Sequence, residues 1–309
     1  MNFKVIAMLS DFERAQVRQT VQERARLMEE KNMSHGQLRL FPGWGNDTRG
    51  MSKSLARSAL FAVRDKRAER ERYDNAVIAS IEGLEIRYSG EELRQDDHDV
   101  FMQLCHLARD ENIGEAVHIS GLQALEGLKW GRSQEDYDRL RSCYKRLLEG
   151  TIYVTKTEAD RAGKVKRKTQ MFGSHLFTSV AAEVEGDSIE SLSARWTIKL
   201  NKELARIING NEMTLIRWAA DKKLTPLAKW LHRFYATHEK PYDMKAETLH
   251  TLCGSRQASM AAFRQKLKGA LQELQNAGLI KSYSMGPKPS YLVRVVNAGL
   301  AKGEVADAA

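Results

Sequence analysis

The chain has 309 residues, 42% of them apolar and 29% charged, with a formal net charge of +9 and a pI near 9.4. That length suggests two domains, and the cationic excess favours a polyanionic partner. No apolar run approaches the ~20 residues that span a bilayer. The opening MNFKVIAML lacks a signal-peptide cleavage site, so a cytoplasmic protein without membrane contact is expected. Cys105, Cys143 and Cys253 have neither zinc-site nor disulfide-framework spacing, which leaves three reduced, buried thiols as the expectation.

Ser10 and Asp11 can cap a sparsely apolar helix running to about Asn32. GQLRLFPGW (36–44) follows, an apolar cluster on an extended linker marked by Pro42, Gly43 and Gly45. Its apolar side chains either staple this arm to the body or dock into a partner. LARSALFAVRDKRAERER (55–72) leads from a short apolar patch into a charge run that reads as a solvated loop or helix face, its basic bias tilting it toward phosphate contact.

From Asn75, AVIASIEG and LEIRYSG alternate in polarity around Gly83 as a hairpin. Residues 96–109 read as a helix, with aspartates at its N-terminal end suiting the macrodipole. A short strand VHIS, a helix SGLQALEGL and a helix SQEDYDRLRSCYKRLLEG come next, the last with Tyr137, Leu140, Tyr144 and Leu147 on one face. TIYVTK and SHLFTSVAAEVE are strands flanking a basic loop, and ARWTIKLNKEL closes this half. Beyond it, TPLAKWLHRFYATH and MKAETLHTLCG read as helices. SRQASMAAFRQKLKGALQELQNAG is a longer helix with Ser255 as a candidate N-cap. LIKSYSM and SYLVRVV pair across GPKP.

One order occurs twice: a Leu-x-x-Leu helix (Leu122/Leu125; Leu249/Leu252), a longer helix ending at a glycine (Gly150; Gly278), then a hairpin. This is the winged helix-turn-helix plan. The expected fold is α+β: an arm (1–72), two tandem winged-helix domains (73–205 and 206–296) and a frayed tail (297–309).

In that plan the longer helix enters the major groove and the hairpin reaches a backbone or minor groove. In the C-terminal long helix, Met260, Phe263, Leu267, Leu271 and Leu274 form the core stripe, which leaves Arg256, Gln257, Ser259, Arg264, Lys266 and Lys268 for DNA. Arg256, Gln257 and Arg264 suit base edges, and Lys266 and Lys268 suit phosphates. In the first half Arg132, Ser133, Arg139, Ser142, Lys145 and Arg146 take the equivalent places, although Glu135, Asp136 and Asp138 bring negative charge to the entry turn. The first wing offers Arg161, Lys164, Lys166, Arg167 and Lys168 to the backbone.

LARSALFAVRDKR, YSGEELRQDDHDVFMQLCHLAR, LKWGRSQEDYDRL and KPYDMKAETLHTLCGSR together resemble the TrfA plasmid replication initiators, from about Gln37 to the second wing. The first ~35 residues have no clear counterpart in that resemblance. It implies a protein that binds tandem direct repeats (iterons) at a plasmid origin as a monomer and forms homodimers inactive there. It further implies opening of an AT-rich region, engagement of the single-stranded DNA, and recruitment of DnaA and the replicative helicase. QLRLF resembles the family's pentad for the β sliding clamp, with Leu40 and Phe41 entering an apolar pocket, Leu38 adding area and Gln37 bonding at the rim.

Catalysis is not expected, and no cofactor or metal is implied. None of the eight histidines forms a His-x-His pair, as a rolling-circle nuclease would require beside its nucleophilic tyrosine. No G-x-x-x-x-G-K-[ST] loop is present. The alternative reading is a winged-helix transcription regulator binding a promoter operator.

Overall fold

The computed structural model describes residues 44–65, 67–111, 116–159, 165–183, 195–201 and 212–298. Helices and mostly antiparallel sheets alternate around two apolar cores. No helix among these residues is long and apolar enough to cross a membrane.

The first core starts earlier than the division at residue 72/73. Strand β1 (Thr48–Ser52) pairs with the distant β11 (Met213–Arg217), joining Thr48 to Arg217 and Ser52 to Met213. The Ser52 hydroxyl caps the one-turn helix α1 (Lys53–Ala56). Trp44, Met51, Leu55, Leu60 and Phe61 are all buried in this core, as are Ile216 and Trp218. The described part of the stretch assigned to the arm, from Trp44 to Phe61, and the segment Met213–Trp218 of the expected second domain therefore belong to the first core.

Strand β2 (Phe61–Ala62) runs parallel to β5 (Leu93–Arg94). The expected hairpin forms from β3 (Arg72–Ile78) and β4 (Leu84–Glu91). Gly83 makes its turn at φ +80°, a left-handed conformation that glycine adopts without strain.

Helix α2 (Gln95–Leu107) follows. Strand β6 (Ala116–Ser120) leads to α3 (Gly121–Leu128) and α4 (Gln134–Glu149), each opened by a serine capping box, at Ser120 and Ser133. Tyr137, Leu140, Tyr144 and Leu147 bury their shared face. Strands β7 (Thr151–Ala159) and β8 (Val165–His175) extend the hairpin into a four-stranded sheet, β3-β4-β7-β8. Strands β9 (Phe177–Glu183) and β10 (Arg195–Leu200) form a second sheet with β6, in the order β6-β10-β9.

The second core follows a short helix, α5 (Trp218–Asp221). Its elements are α6 (Pro226–Ala236), β12 (Met244–Lys245), α7 (Ala246–Leu252), α8 (Met260–Asn276), β13 (Ile280–Met285) and β14 (Leu292–Asn297). The sheet order is β12-β14-β13. Phe263, Leu267, Leu271 and Leu274 of α8 are buried against Trp230, Leu231, Phe234 and Val293, as the stripe predicts. The helix starts later than expected. The Ser255 N–H bonds the His250 carbonyl and finishes α7, so Ser259 becomes the cap, accepting from the Ala262 N–H.

Charge joins the two cores. Helix α2 is buried around most of its surface, including Asp97, His98 and Asp99, so its acidic end does more than complement a dipole. Asp97 accepts from Arg70 Nη1 (2.7 Å), Arg146 Nε (2.8 Å) and the Arg94 N–H (2.7 Å). Asp99 accepts from Lys222, from Lys229 (2.6 Å) and from Arg233, all in the second half of the chain. Asp221 holds Arg233 (2.5 Å) and His232 (2.9 Å).

The charge run 55–72 departs from the solvated face expected of it. Arg57 bonds Thr237, Arg64 bonds Glu92 and the Gly254 carbonyl, and Arg70 bonds Asp96 and Asp97. The Val63 N–H bonds the Cys253 carbonyl across the cores. The run is a strap, held because the acidic start of α2 and Glu92 supply buried partners.

His98 lies stacked on Phe61 at 4.1 Å. Burial first, and the Arg233 charge second, hold its pKa well below the usual histidine value, against the opposing pull of Asp99 and Asp221. A depressed folded pKa gives stability that is present above the unfolded value of ~6.5 and lost as pH falls below it. Burial alone would raise Asp99, but Arg233, Lys222 and Lys229 outweigh it and hold the carboxyl low. That contribution is lost only below about pH 4. Thermal melts should therefore lose stability in two stages on acidification, the first starting near pH 6.5. A melting temperature unchanged between pH 7 and 5 would contradict the buried, neutral His98.

Candidate nucleic-acid interface

Helix α8 turns its apolar stripe inward and leaves Ala261, Gln265, Lys268, Gly269 and Gln272 exposed on the other side. The exposed side is polar with small residues between, a shape that admits close approach to a nucleic-acid groove. A side chain added at Gly269 would meet nothing within 4 Å. Gln265 was missed in the sequence reading. Its position on the outward face, three residues before Lys268, was the available signal.

The six residues assigned to DNA in this half have different settings. Arg256 and Gln257 lie in the loop before α8, because the helix begins only after Ser259. The Arg256 guanidinium makes a two-pronged ion pair with Glu71 of the strap. The Gln257 side chain accepts from Lys266 Nζ at 2.8 Å, and Ser259 is the helix cap. Arg264 is held on two sides: its guanidinium lies 4.0 Å from the Tyr291 ring centroid and 3.3 Å from Glu247. It thereby links α8 to the turn between β13 and β14. Lys268 is exposed.

In the first half, Arg132 pairs with Glu126 at 2.7 Å, and Ser133 exchanges capping bonds with Asp136. Arg139 stacks on Trp130 at 3.8 Å and lies 3.6 Å from Asp96. Lys145 is exposed beside Glu149. Arg146 departs from its expected place on a DNA-facing surface. It is buried against Asp97; burial acts to lower its pKa, but Asp97, with smaller contributions from Cys143 and Asp96, raises it. The backbone of β8 carries Lys166, Arg167 and Lys168, with Arg167 and Lys168 paired to Glu158 and Thr157 of β7. Arg161, Lys164 and the pentad residues Gln37, Leu38, Leu40 and Phe41 lie outside the described residues.

Cys105, Cys143 and Cys253 are buried free thiols, with burial pushing Cys253 up to about 12. Asp96, Asp97 and Cys143 come close enough together to suggest cation ligands. Asp97, however, already accepts from Arg70, Arg146 and the Arg94 backbone, so these atoms form an ion-pair cluster.

The family model described as "TrfA protein" matches residues 13–286. The chain belongs to the TrfA family. The match starts well before Gln37, so most of the N-terminal stretch, for which the sequence reading had no counterpart, falls within the family too. The chain is 28% identical over 240 residues to the plasmid replication initiator protein TrfA of Escherichia coli, covering 77% of this chain and 59% of that relative. Among solved structures, domains 2 and 3 of RctB superpose with a TM-score of 0.54 at 12% identity, over 81% of this chain and 99% of that one. At that identity the likeness speaks for the fold alone.

Proposed function

We propose that this chain initiates plasmid replication in the cytoplasm, binding direct repeats at an origin through two tandem winged-helix modules. The observation that carries the reading is the outward face of α8, polar and uncovered, on a chain of net charge +9. Family membership supports it, as does the twofold order of short helix, long helix and hairpin: α3, α4 and β7–β8, then α7, α8 and β13–β14. Two such modules in one chain can meet successive major grooves, ~34–36 Å apart, without a palindrome. Base reading falls to α8 and its preceding loop. The first half contributes mainly backbone contacts, because Arg132 is paired with Glu126, Ser133 is tied into the helix cap, and Glu135 and Asp136 bring negative charge to the entry turn. Opening of the origin with capture of single-stranded DNA, recruitment of DnaA and the helicase, and a homodimer inactive at the origin complete the reading. The chain spans 59% of its curated relative's length, and these partners are carried by the family resemblance.

The experiment is replication in trans: an origin fragment with its direct repeats, on a plasmid without other replication functions, supplied with this protein. Maintenance of that plasmid is the expected result. Failure of maintenance together with repression of a promoter through one inverted repeat would favour the transcription-regulator reading.

The pentad Gln37–Phe41 makes a separate prediction. Burying Leu40 and Phe41 offers ~3–6 kcal/mol gross, and ordering costs reduce that to a weak, exchangeable contact. Leu40→Ala/Phe41→Ala should abolish binding to the β sliding clamp and leave DNA affinity intact. A wild-type protein that does not bind the clamp would make the pentad a structural staple.

A further inference from the structure

A cleft of about 540 Å³ opens between the two cores, with Trp130 in its wall. Its lining is strongly cationic, and the carboxylates available are shared. Glu92 serves both Arg64 and Arg94. Asp97 serves both Arg70 and Arg146, and Asp99 serves Lys222 and Lys229 together with the deeper Arg233. Among the described residues Arg139 has Asp96 as its one carboxylate partner, at 3.6 Å, which Arg70 also reaches. Lys129 adds an exposed ammonium from the end of α3. Positive charge thus outnumbers negative within a partly enclosed space, which calls for an anion.

The position of the cleft indicates which anion. One wall belongs to α4, through Arg139 and Ser142, and the other to α6, through Pro226 and Lys229. Arg64 and Pro226 also line a neighbouring cleft of about 670 Å³ that continues to Arg256 and Lys266, beside the start of α8. That neighbouring cleft also carries Asp65, Glu69 and Glu273, so the cationic excess belongs to the first cleft, which lies between the two elements assigned to DNA.

We propose that this cleft seats phosphate groups of the duplex backbone where the DNA passes from one module to the other, with Lys129, Arg139 and Lys222 facing the phosphates. The inference rests on the DNA-binding reading above and adds contacts in the junction between the modules. Burial, opposed by Asp99 and reinforced by Lys229, brings Lys222 down to about 8, and an arriving phosphate would restore its full charge.

The test is the salt dependence of binding by the full chain, measured on a direct-repeat duplex and on a shuffled duplex. The variants are Lys129→Gln and Lys129→Gln/Arg139→Gln, with melting temperatures recorded for each. Lys129 is exposed, so the single variant should fold even if loss of the Arg139–Trp130 stack disturbs the double. The log–log slope should fall by about 0.9 for the single variant and about 1.8 for the double, on both duplexes alike, with repeat preference kept. An unchanged slope in a folded variant overturns the proposal. Tripolyphosphate alone then shows whether the cleft takes a free phosphate instead, by a melting shift that the variant lacks. Absence of repeat preference in the wild type would count against the initiator reading, while the slope would still judge the cleft.

Discussion

Asp99→Ala is expected to destabilise the protein by ~3–5 kcal/mol, the usual consequence of removing one partner from a buried ion cluster. Asp99 is 2% exposed and accepts from Arg233, Lys222 and Lys229. Without it Arg233 keeps Asp221, but the two lysines are left as desolvated cations side by side. For a chain of 309 residues that corresponds to a fall in melting temperature of roughly 5–8 °C. Asp243→Ala, which removes the exposed partner of Arg294, should change the melt very little. Calorimetry on the two variants measures the contrast. Similar small shifts for both would mean that the joint between the cores is solvated and that its charges contribute little.

Gly269→Glu is expected to weaken DNA binding at least about tenfold, ~1.4 kcal/mol, while slightly stabilising the fold. The two effects have separate causes. Gly269 lies on the exposed side of α8, and a side chain there meets no neighbour within 4 Å. Replacing a glycine inside a helix removes a penalty of ~0.5–1 kcal/mol. The new carboxylate, however, would face phosphates if this side of α8 enters the groove. Anisotropy titrations beside a thermal melt separate the two. A melt raised with DNA affinity unchanged would place this face of α8 off the DNA.

The helices of both halves were legible in sequence because each carries its own period and a recognisable start. The stripe Tyr137, Leu140, Tyr144 and Leu147 with Ser133 before it, and the stripe Phe263 to Leu274, are local signals. Hairpins β3–β4 and β13–β14 were legible for the same reason, as alternating runs around a turn. What escaped was non-local. The pairing of β1 with β11 joins segments whose partners are far apart in the chain, and no window of sequence contains both. The strap looked like solvated charge, and the aspartates of α2 like a complement to the helix dipole, because each segment alone gives no sign of its partner. At α8 the error was a choice between two serines. Ser255 and Ser259 both suit a cap, and the His250 carbonyl, by bonding the Ser255 N–H, decided for the second. Arg256 and Gln257 therefore moved off the helix, and Gln265 became a more direct candidate for a base edge.

The most direct test of the account is a titration of the full chain against one direct repeat from its plasmid's origin and against a shuffled duplex of equal length, at one fixed salt concentration. The account predicts preference for the repeat by a factor on the order of 10³ or more, reduced in Gly269→Glu. Equal affinity for the two duplexes would contradict it, leaving a basic protein that binds DNA without reading it.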